Sequence, residues 1–184
     1  MVSELKGSAR YVVEESPYNL LDRRIENELI PMCQAHGLGI VCWSPRAAGA
    51  LAGRFYSEDE DAVPVSPPAP SRGTFLTPER LTLHSVQMGN QFCRMAKEHG
   101  YDPAQLSLLW VKDQEGITAP LAGVDSLEQL EQVLPVLDMD LGDEIRAACD
   151  EIVPPGNAVA NFLNTALWGT QQTQEPWEDG TPRV

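Results

Sequence analysis

Residues Gly37 to Gly53, reading GLGIVCWSPRAAGALAG, carry the groups best suited to holding a ligand. An apolar run, Leu38 to Cys42, meets Trp43-Ser44-Pro45, and a series of small residues then leaves the backbone amides approachable. This order describes a buried strand whose end bears a binding loop. A second point of the same kind is Gly123-Val124-Asp125-Ser126, where a glycine at a strand end precedes a helix. There, free N–H groups and the positive end of the helix dipole converge in a way that suits a phosphate, although a plain strand-to-helix turn fits the same residues. Metal chemistry is not expected: His36, His84 and His99 have no second ligand at metal-binding spacing, and Cys33, Cys42, Cys93 and Cys149 lack CxxC spacing. The cysteines read as reduced core thiols.

The elements that must position these loops follow from hydrophobic spacing. Ala9 to Val13 reads as a strand ending at Glu14-Glu15-Ser16-Pro17, because Pro17 disfavours helix at Ser16. Ile25, Leu29, Met32 and Cys33 then fall on one face of a helix, with a kink or interruption expected at Pro31 and a stop at Gly37. Leu38 to Trp43 is apolar almost throughout, the pattern of a strand covered on both faces. Strand, helix and strand in this order make a βαβ unit with parallel pairing and a right-handed crossover. Arg54 to Thr77, rich in acids and prolines, is expected to be a long loop. A helix then runs from Pro78 or Leu83 to His99, burying Val86, Met88, Phe92, Met95 and Ala96. Asp102 caps the next helix, with Pro103 at its first position and Gln105 placed to reach back, and this helix runs to about Gln114. Ile117 to Ala122 reads as a third strand. Ser126 and Gln129 form the capping pair of a helix through Leu130, Val133, Leu134 and Leu137, and a last helix spans Leu141 to Ile152 before Pro154-Pro155-Gly156.

At 184 residues, 42% hydrophobic and 22% charged, the chain can bury one core. Residues 1–167 form that unit, and 168–184 are a polar tail expected to lack order. A net charge of −14 repels phosphate backbones and anionic lipid, so neither nucleic acid nor membrane is an expected partner. No basic-then-apolar leader follows Met1, and no run approaches the roughly 20 apolar residues of a membrane span, which points to the cytoplasm.

Three segments, taken together, resemble the C-terminal part of aldo/keto reductases over roughly residues 9–160. They are Tyr18-Asn19-Leu20-Leu21-Asp22-Arg23 with Ile25-Glu26-Asn27-Glu28-Leu29-Ile30-Pro31, then Trp43-Ser44-Pro45, then Gly123 with Leu127-Glu128-Gln129-Leu130-Glu131. The resemblance implies an α/β fold, a partial (β/α)8 TIM barrel comprising strands six to eight, with NADP(H) lying across the strand ends and a small carbonyl as substrate. It implies that Trp43 stacks on the nicotinamide, that Ser44 and the Arg46 to Gly49 loop, with Ala48, meet the pyrophosphate, and that Gly123 and Gln129 wall the adenosine and its 2′-phosphate.

Four positions depart from the family pattern. Glu15 stands where a glutamine usually bonds the nicotinamide amide, Arg46 where a leucine is usual, Asp125 where a basic residue often meets the 2′-phosphate, and Val133 where an asparagine commonly reaches the adenine. Together these departures weaken tight binding of NADP(H), and Asp125 in particular tilts the expectation toward NAD or toward no cofactor. The family's Asp, Tyr, Lys and His tetrad lies on strands two to four, which this sequence does not contain, so Tyr11, Tyr18, Tyr56 and Tyr101 receive no catalytic role. The expected role is therefore the cofactor-binding part of a carbonyl reductase, with a non-catalytic scaffold or regulatory module, or a partial gene product, as alternatives. Open barrel edges would favour self-association.

Overall fold

The computed structural model describes residues 2–58 and 80–163. After a short helix α1 (Val2–Lys6), strand β1 (Val13–Pro17) leads through a 3-10 turn (Arg24–Glu26) into α2 (Leu29–His36) and β2 (Gly39–Trp43). A 3-10 segment (Ala47–Ala52) follows, then α3 (Leu83–Glu98), α4 (Pro103–Lys112), β3 (Ala119–Pro120) and α5 (Leu127–Val133). A further 3-10 turn (Leu134–Asp138) and α6 (Asp143–Ile152) complete the elements of the described residues. The three strands form one parallel sheet in the order β1-β2-β3, as the βαβ reading requires.

Strand β1 lies further along the chain than its β-branched run suggests. Tyr11, Val12 and Val13 are 83, 65 and 48% exposed, whereas Ser16 and Pro17 are buried. The cause is register. Gly37 closes α2 in the left-handed conformation (φ 65°), so β2 starts at Gly39, and parallel pairing runs from Val13 opposite Gly39 to Pro17 opposite Trp43. The expected interruption is present: the 3-10 turn ends at Glu26 and α2 begins only at Leu29, which leaves Pro31 in the first turn, where its missing N–H has no helical partner. Ile25, Ile30 and Cys33 are buried in this region, while Met32 is 42% exposed, so the inward face is rotated from the expected one.

Strand β3 is two residues long instead of the expected six. Thr118 N donates to Ile40 O (2.8 Å) and Leu121 N to Cys42 O (2.7 Å), but Pro120 between them has no N–H to give. The Thr118 hydroxyl takes over one backbone position, accepting from Ile40 N at 3.0 Å. Expected caps are present: Asp102 accepts from Gln105 N, and Ser126 from Gln129 N. Gln105, however, donates to Gln132 O at 2.5 Å and so ties α4 to α5. On α5 and its 3-10 extension only Val133 and Val136 are buried, while Leu130, Leu134 and Leu137 stay 37, 47 and 72% exposed. Val133 and Val136, three residues apart across the junction with the 3-10 segment, take the inward side, and the leucines are left outward.

β2 is not covered on both sides. Ile40 and Cys42 are fully buried beneath the helices, but Gly39, Val41 and Trp43 are only half-buried. Paired residues of parallel strands share a face, so Glu15, Val41 and Ala119 lie together on the open side. The four cysteines are free and buried, in keeping with core thiols. Most of the expected Arg54 to Thr77 loop, and the whole 168–184 tail, lie outside the described residues.

Candidate functional site

Trp43 closes β2, and the backbone turns sharply directly after it. Ser44, Ala47 and Ala48 hold φ values of 56, 49 and 55°, and Gly49 one of 95°. For residues with a Cβ the left-handed region costs about 1–2 kcal/mol each, so this short loop stores strain that its surroundings must hold. Part of the restraint comes from Asn19, which is fully buried. Its Nδ2 donates to Ser44 O at 3.1 Å, and its Oδ1 accepts from Leu21 N at 3.0 Å. Within the loop, Ala47 N donates to Ser44 O (3.0 Å) and Gly49 N to Arg46 O (2.9 Å). From behind, α3 presses on the 3-10 segment at Gly89, where an added Cβ would sit 2.8 Å from Ala50 O.

A guanidinium covers part of the Trp43 ring. Arg80 is 2% exposed, and its Cζ lies 5.1 Å from the Trp43 ring centroid and 5.7 Å from that of the fully buried Phe162. Phe162 belongs to a strap that returns after α6 to the loop following β1. Val159 N and Ala160 N donate to Leu21 O at 2.9 and 3.1 Å, and Phe162 N and Leu163 N to Asp22 Oδ2 at 2.7 and 3.0 Å. Asp22, 2% exposed, also receives Nε and Nη2 of Arg24 at 2.8 and 2.7 Å.

The eight expected site residues divide into groups. Trp43, Ser44, Arg46 and Ala48 share the β2 loop. Burial lowers the Arg46 pKa from its ordinary value and the charge of Asp125 opposes that shift, which sets the loops after β2 and β3 within electrostatic reach. Gln129 is committed to its own turn, its Oε1 accepting from Asp125 N at 2.9 Å. Gly123 is exposed, and a Cβ there would meet nothing within 4 Å. Glu15 pairs with Val41 and so lies on the open face two residues short of the strand end.

A cleft of about 260 Å³ lined by Tyr18, Glu26, Ile30, Pro31, Gln34, Gln114 and Glu115 contains none of these eight residues. Its polar groups serve the framework. Glu26 accepts from the Tyr18 hydroxyl (2.5 Å), Arg23 Nε (2.7 Å) and Gly156 N (2.9 Å). Burial first, and then Glu26, hold the Tyr18 phenol well above its ordinary range, so it stays protonated with its O–H given to Glu26. Burial would depress Arg23, but its bonds to Glu26 and Asp150 outweigh that and keep it charged against the Trp110 ring. Among the described residues no group of three or more His, Cys, Asp or Glu could hold a metal ion, and no helix is long and apolar enough to cross a membrane.

The sequence profile of the aldo/keto reductase family matches residues 1–154. The chain belongs to the aldo/keto reductase family. It is 32% identical over 146 residues to the uncharacterized oxidoreductase YrpG of Bacillus subtilis, covering 79% of this chain and 41% of that protein. It is 30% identical over 151 residues to L-glyceraldehyde 3-phosphate reductase of Escherichia coli O157:H7, covering 79% and 42%. Protein tas of Escherichia coli K12 is 26% identical over 147 residues, covering 78% and 40%. The chain thus spans about two fifths of the length of these curated relatives. In this aldo/keto reductase chain three residues outside the expected set shape the β2 end. Asn19 has the residue type of a turn former, which is a usable signal. Arg80 and Phe162 have none, since each gains its place only when distant segments meet.

Proposed function

We propose that this chain supplies strands six to eight of an aldo/keto reductase (β/α)8 barrel and forms the cofactor-binding wall of an NADP(H)-dependent carbonyl reductase. The observation that carries this reading is the strained, left-handed run from Ser44 to Gly49 beside a half-buried Trp43. Stored strain at a strand's carboxyl end is a feature of ligand-binding loops, and barrels of this type bind at that end. The residues suit a dinucleotide. Trp43 offers an indole ring to a flat heterocycle, and the turn from Ser44 to Ala48 offers backbone amides to a pyrophosphate. Bound there, a nicotinamide cofactor would supply the hydride that reduces a carbonyl.

Each expected residue then has a task on that wall. Trp43 stacks, while Ser44, Arg46 and Ala48 face the phosphates. Gly123 leaves space beside the adenosine, and Gln129 steadies the turn that presents Asp125. Because Asp125 lies within electrostatic reach of Arg46, it tempers the one cation of the loop and permits NAD as well as NADP(H). Glu15 is placed to receive the carboxamide of the nicotinamide.

The open sheet face supports the barrel reading. A parallel sheet is normally covered on both sides, and Glu15, Val41 and Ala119 here await partner strands, either from the remainder of a barrel or from a second copy. Residues 1–167 are the unit that would dock in this way, in the cytoplasm. Titration of the chain with NADPH, followed by tryptophan fluorescence, tests the proposal. Saturable quenching that is lost in Trp43→Ala is expected, and no saturable change in the parent chain would overturn it.

A further inference from the structure

The groups that fix Trp43 come from three separate stretches of chain: the end of β2, Arg80 just ahead of α3, and the strap that carries Phe162. The guanidinium of Arg80 lies 5.1 Å from one ring centroid and 5.7 Å from the other, and all but 2% of the residue is buried. A delocalised planar cation is attracted to the electron-rich faces of aromatic rings, and the attraction grows when water is excluded. Phe162 cannot drift from this contact, because its own N–H is held by the buried carboxylate of Asp22 at 2.7 Å. Asp22 in turn belongs to the loop that follows β1, only three residues from Asn19, whose amide holds Ser44 O. One circuit therefore runs from the ring of Trp43 through Arg80, Phe162, Asp22 and Asn19 to the backbone of Ser44.

We propose that Arg80 is a positioning residue that sets the orientation of the Trp43 indole for its ligand, through a guanidinium shared with Phe162 of the C-terminal strap. The inference rests on the reading of Trp43 as a ligand-facing ring, and it makes the strap part of the binding apparatus. With Arg80 in place one side of the indole is backed by a rigid cation, and its remaining surface is presented in a single orientation. A preorganised ring binds more tightly than one that must be ordered on contact.

Two variants test this. Arg80→Met keeps a stem of similar bulk but removes the planar cation; Phe162→Leu leaves Arg80 intact and removes the second ring. In chain labelled with 15N-tryptophan, the indole N–H signal of Trp43, assigned by its loss in Trp43→Phe, should be single and sharp. It should broaden or split in both variants without added ligand. Affinity for NADPH should fall about tenfold in Arg80→Met. A folded Arg80→Met with an unchanged Trp43 signal overturns the proposal, even if affinity drops, because a through-space charge effect would lower affinity without moving the ring. Should Arg80→Met fail to fold, Phe162→Leu decides, and an unchanged Trp43 signal in it is refuting. If the parent chain does not bind NADPH at all, the cofactor reading fails, while the ligand-free indole signal still reports on Arg80.

Discussion

Replacing Asp22 separates two ways in which one carboxylate holds the molecule together. Its Oδ1 receives Arg24 Nε, while its Oδ2 receives Arg24 Nη2, Phe162 N and Leu163 N. The Asp22 side chain is 2% exposed but that of Arg24 is 37% exposed, so Arg24 can turn to water when the pair is lost. In Asp22→Asn the amide oxygen can take the Oδ2 place, so both strap N–H groups keep an acceptor and only the Arg24 Nε bond is replaced by a clash between donors. The remaining bonds change from charge-assisted to neutral, and the total cost is about 1–2 kcal/mol. In Asp22→Ala the buried N–H of Phe162 has no acceptor, which alone costs about 1–3 kcal/mol, and the ion pair adds about 0.5–1 kcal/mol more. Leu163, 38% exposed, can turn its N–H to water and adds little. Urea unfolding of the two variants at neutral pH should therefore rank alanine below asparagine by about 1–2 kcal/mol, with the m-value unchanged. Equal stabilities for the two variants would refute the bonding scheme. So would an alanine variant as stable as the parent.

Gly89→Ala should lower stability by about 1–3 kcal/mol in a thermal melt although alanine is the better helix former, because the new Cβ would stand 2.8 Å from Ala50 O and 3.1 Å from Ala50 C. Burial pushes the Cys42 and Cys149 thiols up to about 12 and that of Cys93 to about 11, from an ordinary value of 9.0. Folded pKa values above the unfolded one mean that the unfolded chain sheds protons first. This contribution to stability is thus complete below pH 9 and is lost as pH rises toward 11–12. Urea midpoints measured from pH 8 upward should show that decline, and an alkylating reagent should modify these thiols quickly only once the chain is unfolded.

The parts of the fold set by local chemistry are readable from sequence. Gly37 as a left-handed stop, and Asp102 and Ser126 as helix caps, depend on residues within a turn or two of one another. Thr82 shows the limit: its hydroxyl accepts from Ser85 N and so places the start of α3 at Leu83, a choice that hydrophobic spacing leaves open. The displaced β1 shows a different limit. Its apolar residues suggest pairing from Ala9, but the partner strand begins where α2 ends, and register across a sheet is a property of two segments. The outward leucines of α5 mislead for a related reason, since an apolar stripe signals what a helix is able to bury and not which neighbour is present to bury it. At the site, Trp43 and Ser44 can be found from their place after an apolar strand, whereas the handedness of Ala47 and Ala48 cannot, because alanine gives no sign of adopting it. The link between Arg80 and Phe162 spans 82 positions and depends on tertiary contact alone.

The bonds from Asp22 to Phe162 and Leu163 bear on the order of events during synthesis. Their partners are 140 and 141 positions apart. At the usual pace of translation, roughly 5–20 residues per second, Asp22 leaves the ribosome roughly 7 to 28 seconds before the strap that must reach it. Throughout that interval Asp22 and Arg24 have only each other, and the loop after β1 stays unfinished while β2 and α3 emerge. The final shape of the Trp43 pocket is thus a late event, and a chain stalled before Phe162 would display its three strands without the cover that Phe162 gives Arg80.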